Sequence, residues 1–128
     1  MTASPERQGS LRRLSKRAQF LHAAKGRRAG RSAFSLQVIA VSAETAGIGL
    51  TVTKKTGNAP QRNRIKRRLR AAVQACAPKF LPQHDYVLVG RREALNQPFG
   101  KLVGDLSAAI TAVNKIHANS AKTPRDPK

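Results

Sequence analysis

Acidic residues and aromatic side chains are both scarce in this chain of 128 residues. Six Asp and Glu stand against 25 Lys and Arg, and aromatic residues make up 4% of the chain, with no tryptophan. The six acids are spread along the sequence, so no paired carboxylates are available for two-metal hydrolysis. No Ser–His–Asp set is indicated either. The sequence therefore argues against catalysis by the protein alone, and it predicts a core built from Leu, Val, Ile and Ala.

Cysteine and long apolar segments are also nearly absent. The single cysteine, Cys76, excludes an internal disulfide, suits a reducing compartment and is expected to fill the core. The N-terminus has no apolar segment typical of a secretion signal, so a cytoplasmic location is expected. The three histidines, His22, His84 and His117, are scattered, and no zinc site or other metal site is predicted.

Positive charge is what the chain has in excess. The net charge is +19, and the stretch from Arg7 to Arg70 holds 17 basic residues and one acid, Glu44. Such an excess opposes compaction unless an anionic partner takes it up. Nucleic acid is the usual partner, because basic side chains displace the counterions condensed on phosphates. A membrane partner is disfavoured, since no apolar anchor lies next to the charge.

The length allows one domain with tails. Residues 1–10 and 118–128 lack any apolar period and are predicted to be disordered, which leaves 11–117 as the folded domain. The predicted elements, in order, are a helix over 16–25 capped by Ser15, strands over 34–41 and 48–53, a helix from Asn58 to about Cys76, a strand over 84–91 and a last helix after Asn96. This order predicts a compact sandwich of helices on a sheet.

The two adjacent strands are expected to form an antiparallel hairpin with one apolar face and one face rich in hydroxyl and amide groups. In the first helix, Ala18, Leu21 and Ala24 recur at helical spacing, with Phe20 to one side. Phe34 and Phe99 are predicted to be core residues. Phe20 could be core as well, but stacking on a ligand is the favoured interpretation.

The second helix separates its side chains by character. At 100° per residue, an apolar stripe faces the sheet (Ile65, Leu69, Ala72, Val73 and Cys76). Arg62, Lys66 and Arg70 follow one flank at a spacing of four, and Arg67 points outward. Solvated helical faces usually mix charges, because like charges four residues apart repel each other. An uncompensated row of Arg and Lys therefore indicates an anionic partner, and the arginine fork suits phosphates and bases.

The segment before this helix adds to the same site. Lys54 and Lys55 precede a Gly57-Asn58 turn, in which Asn58 is a good N-cap and Pro60 falls in the first turn. Exposed N–H groups and the helix dipole favour a phosphate at this end.

The sequence from Gly47 to Ala59, followed by Arg62-Asn63-Arg64-Ile65-Lys66-Arg67-Arg68-Leu69-Arg70, resembles the bacterial ribonuclease P protein family. That family carries a strand, a Lys-Lys-x-Gly-Asn-Ala turn and an Arg-Asn-Arg motif on a basic helix. Weaker similarity extends from about Leu14 to Lys115. The resemblance implies a single-domain α+β fold, an αβββαβα sandwich with a left-handed βαβ crossover that is also found in a domain of a small-subunit ribosomal protein.

The resemblance also implies a function. The partner would be a large catalytic RNA, in a ratio of one protein per RNA without an obligate homo-oligomer, and the complex would be an endoribonuclease that removes the 5′ leader of precursor tRNA. RNA-bound Mg²⁺ would carry out the hydrolysis, with no catalytic residue and no cofactor on the protein. The contacts to the catalytic RNA implied by position and by the basic turn are Lys54, Lys55, Asn58, Arg62, Asn63, Arg64, Lys66, Arg67, Arg68 and Arg70.

The same resemblance places the leader of precursor tRNA in a groove between the first helix and the open face of the sheet. The residues that match its lining and basic rim are Phe20, Ser35, Gln37, Ile39, Thr51, Thr53, Arg91 and Arg92. The family often has an aromatic residue where this chain has Gln37, and another near Ala23 and Ala24, so stacking here would rest on Phe20. Pro60 stands where a valine is common and could shift the helix start by one residue. A ribosomal or ribosome-assembly protein and a self-sufficient basic nuclease are the competing functions.

Overall fold

The computed structural model describes the backbone of residues 11–122 and the side chains of residues 11–114. Strands are β1 (Arg12–Arg13), β2 (Arg27–Gly30), β3 (Phe34–Ala40), β4 (Gly47–Thr51) and β5 (His84–Gly90), and α-helices are α1 (Arg17–Ala23), α2 (Ala59–Ala75) and α3 (Phe99–Lys122). Short 3₁₀ turns occupy Lys54–Thr56, Ala77–Lys79 and Arg92–Leu95. The fold is a mixed α+β single domain, as expected.

The five strands form one sheet in the order β1-β4-β5-β3-β2. β5 pairs antiparallel with β3 and parallel with β4, and β1 adds to the other side of β4 in parallel. The predicted hairpin of β3 and β4 is wrong, because β5 inserts between them. A short loop joins β3 to β4, but each of the two strands pairs with β5 and not with the other.

Helices α2 and α3 cover one face of the sheet. The alternating residues Phe34, Leu36 and Val38 of β3 are buried there, as predicted from their period of two. They pack with Tyr86 and Leu88 of β5. The helices contribute the buried stripes of Ile65, Leu69, Ala72 and Val73 from α2 and Leu102, Leu106, Ile110 and Val113 from α3. The core is mostly aliphatic, in line with the composition, and its aromatic members are Phe34, Phe80 and Tyr86.

Helix α2 begins directly after Asn58, the N-cap predicted from the sequence. The side chain of Asn58 accepts a hydrogen bond from Gln61 N at 2.9 Å, and the side chain of Gln61 accepts one from Asn58 N at 2.9 Å. These two bonds satisfy donors that a helix start otherwise leaves unpaired. Pro60 fits in the first turn without moving Arg62 off the helix, and Cys76 is the C-cap.

Helix α1 lies on the opposite face and leaves much of it uncovered. It is shorter than predicted, and its N-cap is Lys16 rather than Ser15. The side chain of Gln19 accepts hydrogen bonds from the backbone N–H groups of Ser15 and Lys16 at 3.0 Å each. The predicted stripe is also wrong. Ala18, Leu21 and Ala24 are exposed, whereas Ala23 is buried with Leu14 and Val87.

Helix α3 differs from the prediction at both ends. Phe99, predicted to be in the core, is 43% exposed because the helix begins there, before its buried stripe starts at Leu102. Residues 118–122, predicted to belong to a disordered tail, continue the helix, since no proline interrupts the chain before Pro124. Residues 1–10 and 123–128 lie outside the described part. No helix among the described residues is long and apolar enough to cross a bilayer.

Candidate nucleic-acid interface

The polar residues of α2 form a continuous positive surface. We call it the α2 basic surface and define it as Arg62, Asn63, Arg64, Lys66, Arg67, Arg68 and Arg70. Asn63, Arg64, Arg67 and Arg70 are exposed, and the other three are half-buried. The packed stripe and the outward Arg/Lys surface predicted from the helical period are thus both confirmed as placements.

Two arginines of this surface are held by backbone carbonyls. Arg62 Nη1 donates to Gly57 O at 2.7 Å, and Arg68 Nη2 donates to Gln97 O. In contrast, four side chains of this surface form no hydrogen bond or ion pair with any described residue: Arg64, Lys66, Arg67 and Arg70. The surface therefore combines fixed arginines with cations that are available to a ligand.

The described acids do not neutralise these cations. Asp85 accepts from Arg12 at 2.7 Å on the far face of the sheet, and Asp105 pairs with Lys101 within α3 at 3.8 Å. Like charges on one helix face repel by a few tenths of a kcal/mol per pair. An anion bound across several of them would remove this repulsion.

The start of α2 gathers further positive charge. Lys54 and Lys55 are exposed in the 3₁₀ turn, and Arg92 Nη1 donates to Thr56 O at 3.0 Å. Gly57 permits this arrangement, because a Cβ atom there would lie 2.5 Å from Gln61 Oε1 and 3.2 Å from Arg92 Nη1. Arg92, predicted on the leader groove, thus lies beside the start of α2 instead.

The cap limits what Asn58 can contribute. Its side-chain oxygen is taken by Gln61 N, so only the amide NH₂ group remains for a ligand. Pro60 has no N–H and Gln61 N donates to the cap, so of the first three residues of the helix only Ala59 keeps a backbone N–H for an anion, which the helix dipole favours at this end.

On the opposite face of the sheet, three of the predicted leader residues meet. Phe20, Gln37 and Thr51 line a depression of about 390 Å³ between α1 and the strands, with Val87 among the other lining residues. We call this depression the α1 groove. It is apolar at its base and polar along its sides, and Arg17 adds a positive charge to its rim.

Gly49 sets the position of the aromatic ring in the α1 groove. A Cβ atom on Gly49 would lie 2.7 and 2.8 Å from two ring carbons of Phe20 and 3.2 Å from Leu14 Cβ. The ring therefore lies directly on the backbone of β4. Phe20 packs beside Leu14, Ala23 and Val87 but stays half-exposed, so one part of the ring remains open to a base.

The other predicted leader residues are dispersed. Ser35 faces the same side but is only 9% exposed. Ile39 borders a separate depression of about 410 Å³ that also involves Lys25 and His84. Thr53 is exposed and within 3.3 Å of Thr56 Oγ1, next to the start of α2. Arg91 is exposed, and its Nη2 approaches Gly30 of the edge strand β2.

The structure adds residues that the sequence did not single out as a cluster. Arg12 Nη2 donates to Asp85 Oδ1 at 2.7 Å and to Thr45 O at 2.8 Å, which ties β1 to the sheet. Gly47 leaves the space for this pair, since a Cβ there would lie 2.4 Å from Asp85 Oδ1. Gly47 and Gly49 lie two residues apart on β4 and so share one face, and this spacing is the sequence signal for a close approach of other side chains to that face.

Cys76 is a buried structural residue. Burial raises the pKa of the Cys76 thiol, and the nearby Lys79 only partly offsets this, so the thiol is protonated at neutral pH. A protonated, buried thiol is a poor nucleophile. Among residues 11–114, no cluster of three His, Cys, Asp or Glu side chains could hold a metal ion.

Comparison with known proteins gives a single family. The model of the family described as Ribonuclease P matches residues 10–114. The ribonuclease P protein component of Paramagnetospirillum magneticum is 40% identical over 128 residues, which is 92% of this chain and 96% of the relative. That of Ruegeria pomeroyi is 43% identical over 110 residues, which is 82% and 86% of the two chains.

Solved structures agree on the fold. The ribonuclease P protein of Thermotoga maritima superimposes with a TM-score of 0.67 at 22% identity, covering 80% of this chain and 96% of the other. That of Staphylococcus aureus gives a TM-score of 0.62 at 24% identity, covering 82% and 94%. At this identity the structural likeness shows the fold alone. The family model and the sequence relatives show the family: the chain belongs to the ribonuclease P protein family.

Proposed function

We propose that this chain is the protein subunit of ribonuclease P. In this proposal it binds the catalytic RNA through the α2 basic surface with Lys54, Lys55 and Asn58, and it binds the 5′ leader of precursor tRNA in the α1 groove. One protein acts with one RNA in the cytoplasm, without an obligate homo-oligomer. The complex is the endoribonuclease, and the protein alone is not catalytic.

The observation that carries the proposal is the unpaired charge on α2. Four cations on one helix surface lack any partner among the described residues. Each phosphate contact releases condensed counterions and so contributes affinity that depends on salt. The two fixed arginines, Arg62 and Arg68, lose little side-chain entropy when they bind, because the protein already holds them in place.

The α1 groove supports the second part of the proposal. Single-stranded nucleotides have unstacked bases, which bind to aromatic rings and to hydrogen-bonding side chains. Here the ring is Phe20, and the hydrogen-bonding groups are Gln37 and Thr51. Because the chain carries glutamine where the family often has a second aromatic residue, hydrogen bonds to bases contribute a larger part of the binding free energy and stacking a smaller part.

The few acids of the chain support an RNA-based reaction. Asp85 and Asp105 are each paired with a basic residue, and the charge surplus would repel metal ions. Mg²⁺ held by the catalytic RNA supplies the hydrolytic chemistry. The protein strengthens the binding of substrate, because its cations reduce the repulsion between the phosphates of the two RNAs.

A precursor-tRNA cleavage assay at low Mg²⁺ tests the proposal. The chain together with the catalytic RNA should cleave at the 5′ end of the mature tRNA, and neither component should do so efficiently alone. Cleavage by the chain alone would overturn the proposal in favour of an autonomous nuclease. If the chain failed to stimulate the RNA, a ribosomal or ribosome-assembly role would replace it.

A further inference from the structure

A cleft separates α2 from the edge of the sheet formed by β1 and β4. It has a volume of about 310 Å³, which is at the lower end of the range for small-ligand pockets. The lining residues include Arg13, Ile48, Leu50, Lys66, Arg70 and Gln74. We call it the β1 cleft.

The base of the β1 cleft is aliphatic and only partly covered. Ile48 and Leu50 of β4 point to the core face of the sheet but remain half-exposed, and Leu11 is half-exposed beside them. Val73 of α2 is fully packed behind them. The main core therefore reaches the surface at this edge of the sheet, where an apolar ligand face could cover it.

The rim of the β1 cleft is positive on both sides. Lys66 and Arg70 stand on the α2 side, and Arg13 stands on the β1 side. None of the three has a hydrogen bond or an ion pair with a described residue. Arg12, in contrast, is held by Asp85 and Thr45. The three available cations would repel one another unless an anion lies between them.

One more polar group completes the site. Gln74 is exposed on α2, one turn beyond Arg70. Its amide offers two donors and an acceptor, which match the edge of a nucleobase. An apolar base, an amide at one end and cations around the rim together fit one unstacked nucleotide, with its base against Ile48 and Leu50 and its phosphates near Arg13 and Arg70.

We infer that the β1 cleft binds a single unstacked nucleotide of the catalytic RNA. The inference rests on the proposed function and extends the RNA surface from α2 across the sheet edge to β1. It adds Arg13 and Gln74, which lie outside the basic motif, as contacts that fix the orientation of the domain on the RNA. Lys66 and Arg70 act in both surfaces.

Two pairs of variants test the inference in the reconstituted complex. Arg13→Ala has a matched control in Arg28→Ala, because both arginines are exposed on edge strands but at opposite edges of the sheet. Gln74→Glu has a matched control in Ala75→Glu, which adds the same charge to an exposed position on the other flank of α2. Circular dichroism checks that all four variants are folded.

The measurements are the dissociation constant for the catalytic RNA, its salt dependence and the chemical reactivity of each nucleotide. Arg13→Ala and Gln74→Glu should weaken binding by roughly tenfold, the loss typical of a charge-assisted hydrogen bond. Arg13→Ala should also lower the salt slope by about one ion. One nucleotide that the wild-type protein protects from reagents specific for unstacked residues should become reactive in both variants.

Four outcomes distinguish the inference from its alternatives. Losses confined to Arg13→Ala and Gln74→Glu, with the same nucleotide exposed, support the inference. Equal behaviour of test and control variants overturns it while leaving the proposed function intact, since the complex still cleaves. A loss seen only with leader-bearing substrates would assign the β1 cleft to the leader and also overturn it. A wild-type chain that fails to bind or stimulate the RNA would instead contradict the proposed function.

Discussion

Gly49 is the residue on which the α1 groove depends most. The ring of Phe20 lies against its backbone, at 2.7 Å from the position of an added Cβ. Gly49→Ala should therefore displace the ring, cost about 1–3 kcal/mol of folding free energy through overpacking, and weaken the binding of leader-bearing precursor tRNA. Urea unfolding and substrate titration measure the two effects.

A second glycine serves as the control for this prediction. Gly104 lies on the exposed side of α3, where an added Cβ meets nothing within 4 Å. Gly104→Ala should stabilise the protein by roughly 0.5–1 kcal/mol, because alanine favours the helix, and leave leader binding unchanged. If both substitutions affected the leader alike, the role given to Gly49 would be wrong.

Tyr86 couples the stability of the core to alkaline pH. Its side chain is fully buried, its hydroxyl donates to Asn114 Oδ1 at 2.9 Å, and it accepts from Leu81 N at 3.0 Å. Burial raises the pKa of Tyr86, and the hydrogen bond from Leu81 lowers it by a smaller amount. The folded state therefore holds this proton more tightly than the unfolded state.

The sign of the pH effect follows from this difference. The stabilisation is complete below the unfolded pKa of about 10 and is lost as the pH rises through the raised folded pKa. Tyr86→Phe should cost about 1–2 kcal/mol at neutral pH from the lost hydrogen bonds. The difference in free energy of unfolding between wild type and variant, measured with urea, should narrow above about pH 10, because deprotonation of Tyr86 destabilises only the wild type. A gap independent of pH would contradict the assignment.

At the scale of elements, the start of α2 separates stability from binding. Asn58 and Asn63 are both exposed asparagines, but only the Asn58 side chain caps the helix. Asn58→Ala should lower the free energy of unfolding by about 1 kcal/mol, which is typical for the loss of an N-cap.

Asn63→Ala is the matched control for the cap. It should leave the free energy of unfolding within about 0.5 kcal/mol of the wild type, yet weaken binding to the catalytic RNA. Thermal unfolding gives the stability of each variant, and titration with the catalytic RNA gives its dissociation constant. An equal loss of stability in both would show that the cap at Asn58 is not what starts the helix.

The contrast between α2 and the sheet shows what local sequence can predict. The bounds of α2 follow from a cap, a proline in the first turn and a stripe of period 3.6, all of which act within a few residues. The pairing of β3 and β4 does not. Whether two strands are neighbours depends on where a third strand is inserted, and β5 lies more than 30 residues further along the chain.

The candidate site shows the same division. The outward cations of α2 and the opposite face holding Gln37 and Thr51 were predicted from period alone. The location of Arg92 beside the start of α2 was not, because it depends on how a loop after β5 folds back onto another element. Phe99 was misassigned since its spacing fits the stripe of α3, although the sheet does not reach the first turn of that helix.

At the scale of the whole molecule, the net charge of +19 should make folding depend on anions. Self-repulsion destabilises a compact state of such charge. Adding sulfate at low ionic strength should raise the free energy of unfolding of the free chain, with helical circular dichroism as the readout. Sodium chloride at matched ionic strength should have a smaller effect, because it screens charge without bridging several cations. Equal effects of the two salts would show that screening alone is involved.

The central claim is that two separate surfaces do two separate tasks, with α2 binding the catalytic RNA and the α1 groove binding the leader. The most direct measurement compares Arg67→Ala and Phe20→Ala in the reconstituted enzyme, using the binding of precursor tRNA, which carries the leader, and of mature tRNA, which does not. Arg67→Ala should weaken binding to the catalytic RNA, lower its salt slope by about one ion, and affect the binding of both tRNAs equally. Phe20→Ala should leave binding to the catalytic RNA unchanged and weaken the binding of precursor tRNA only. If each variant impaired both properties to the same extent, the division into two surfaces would be wrong.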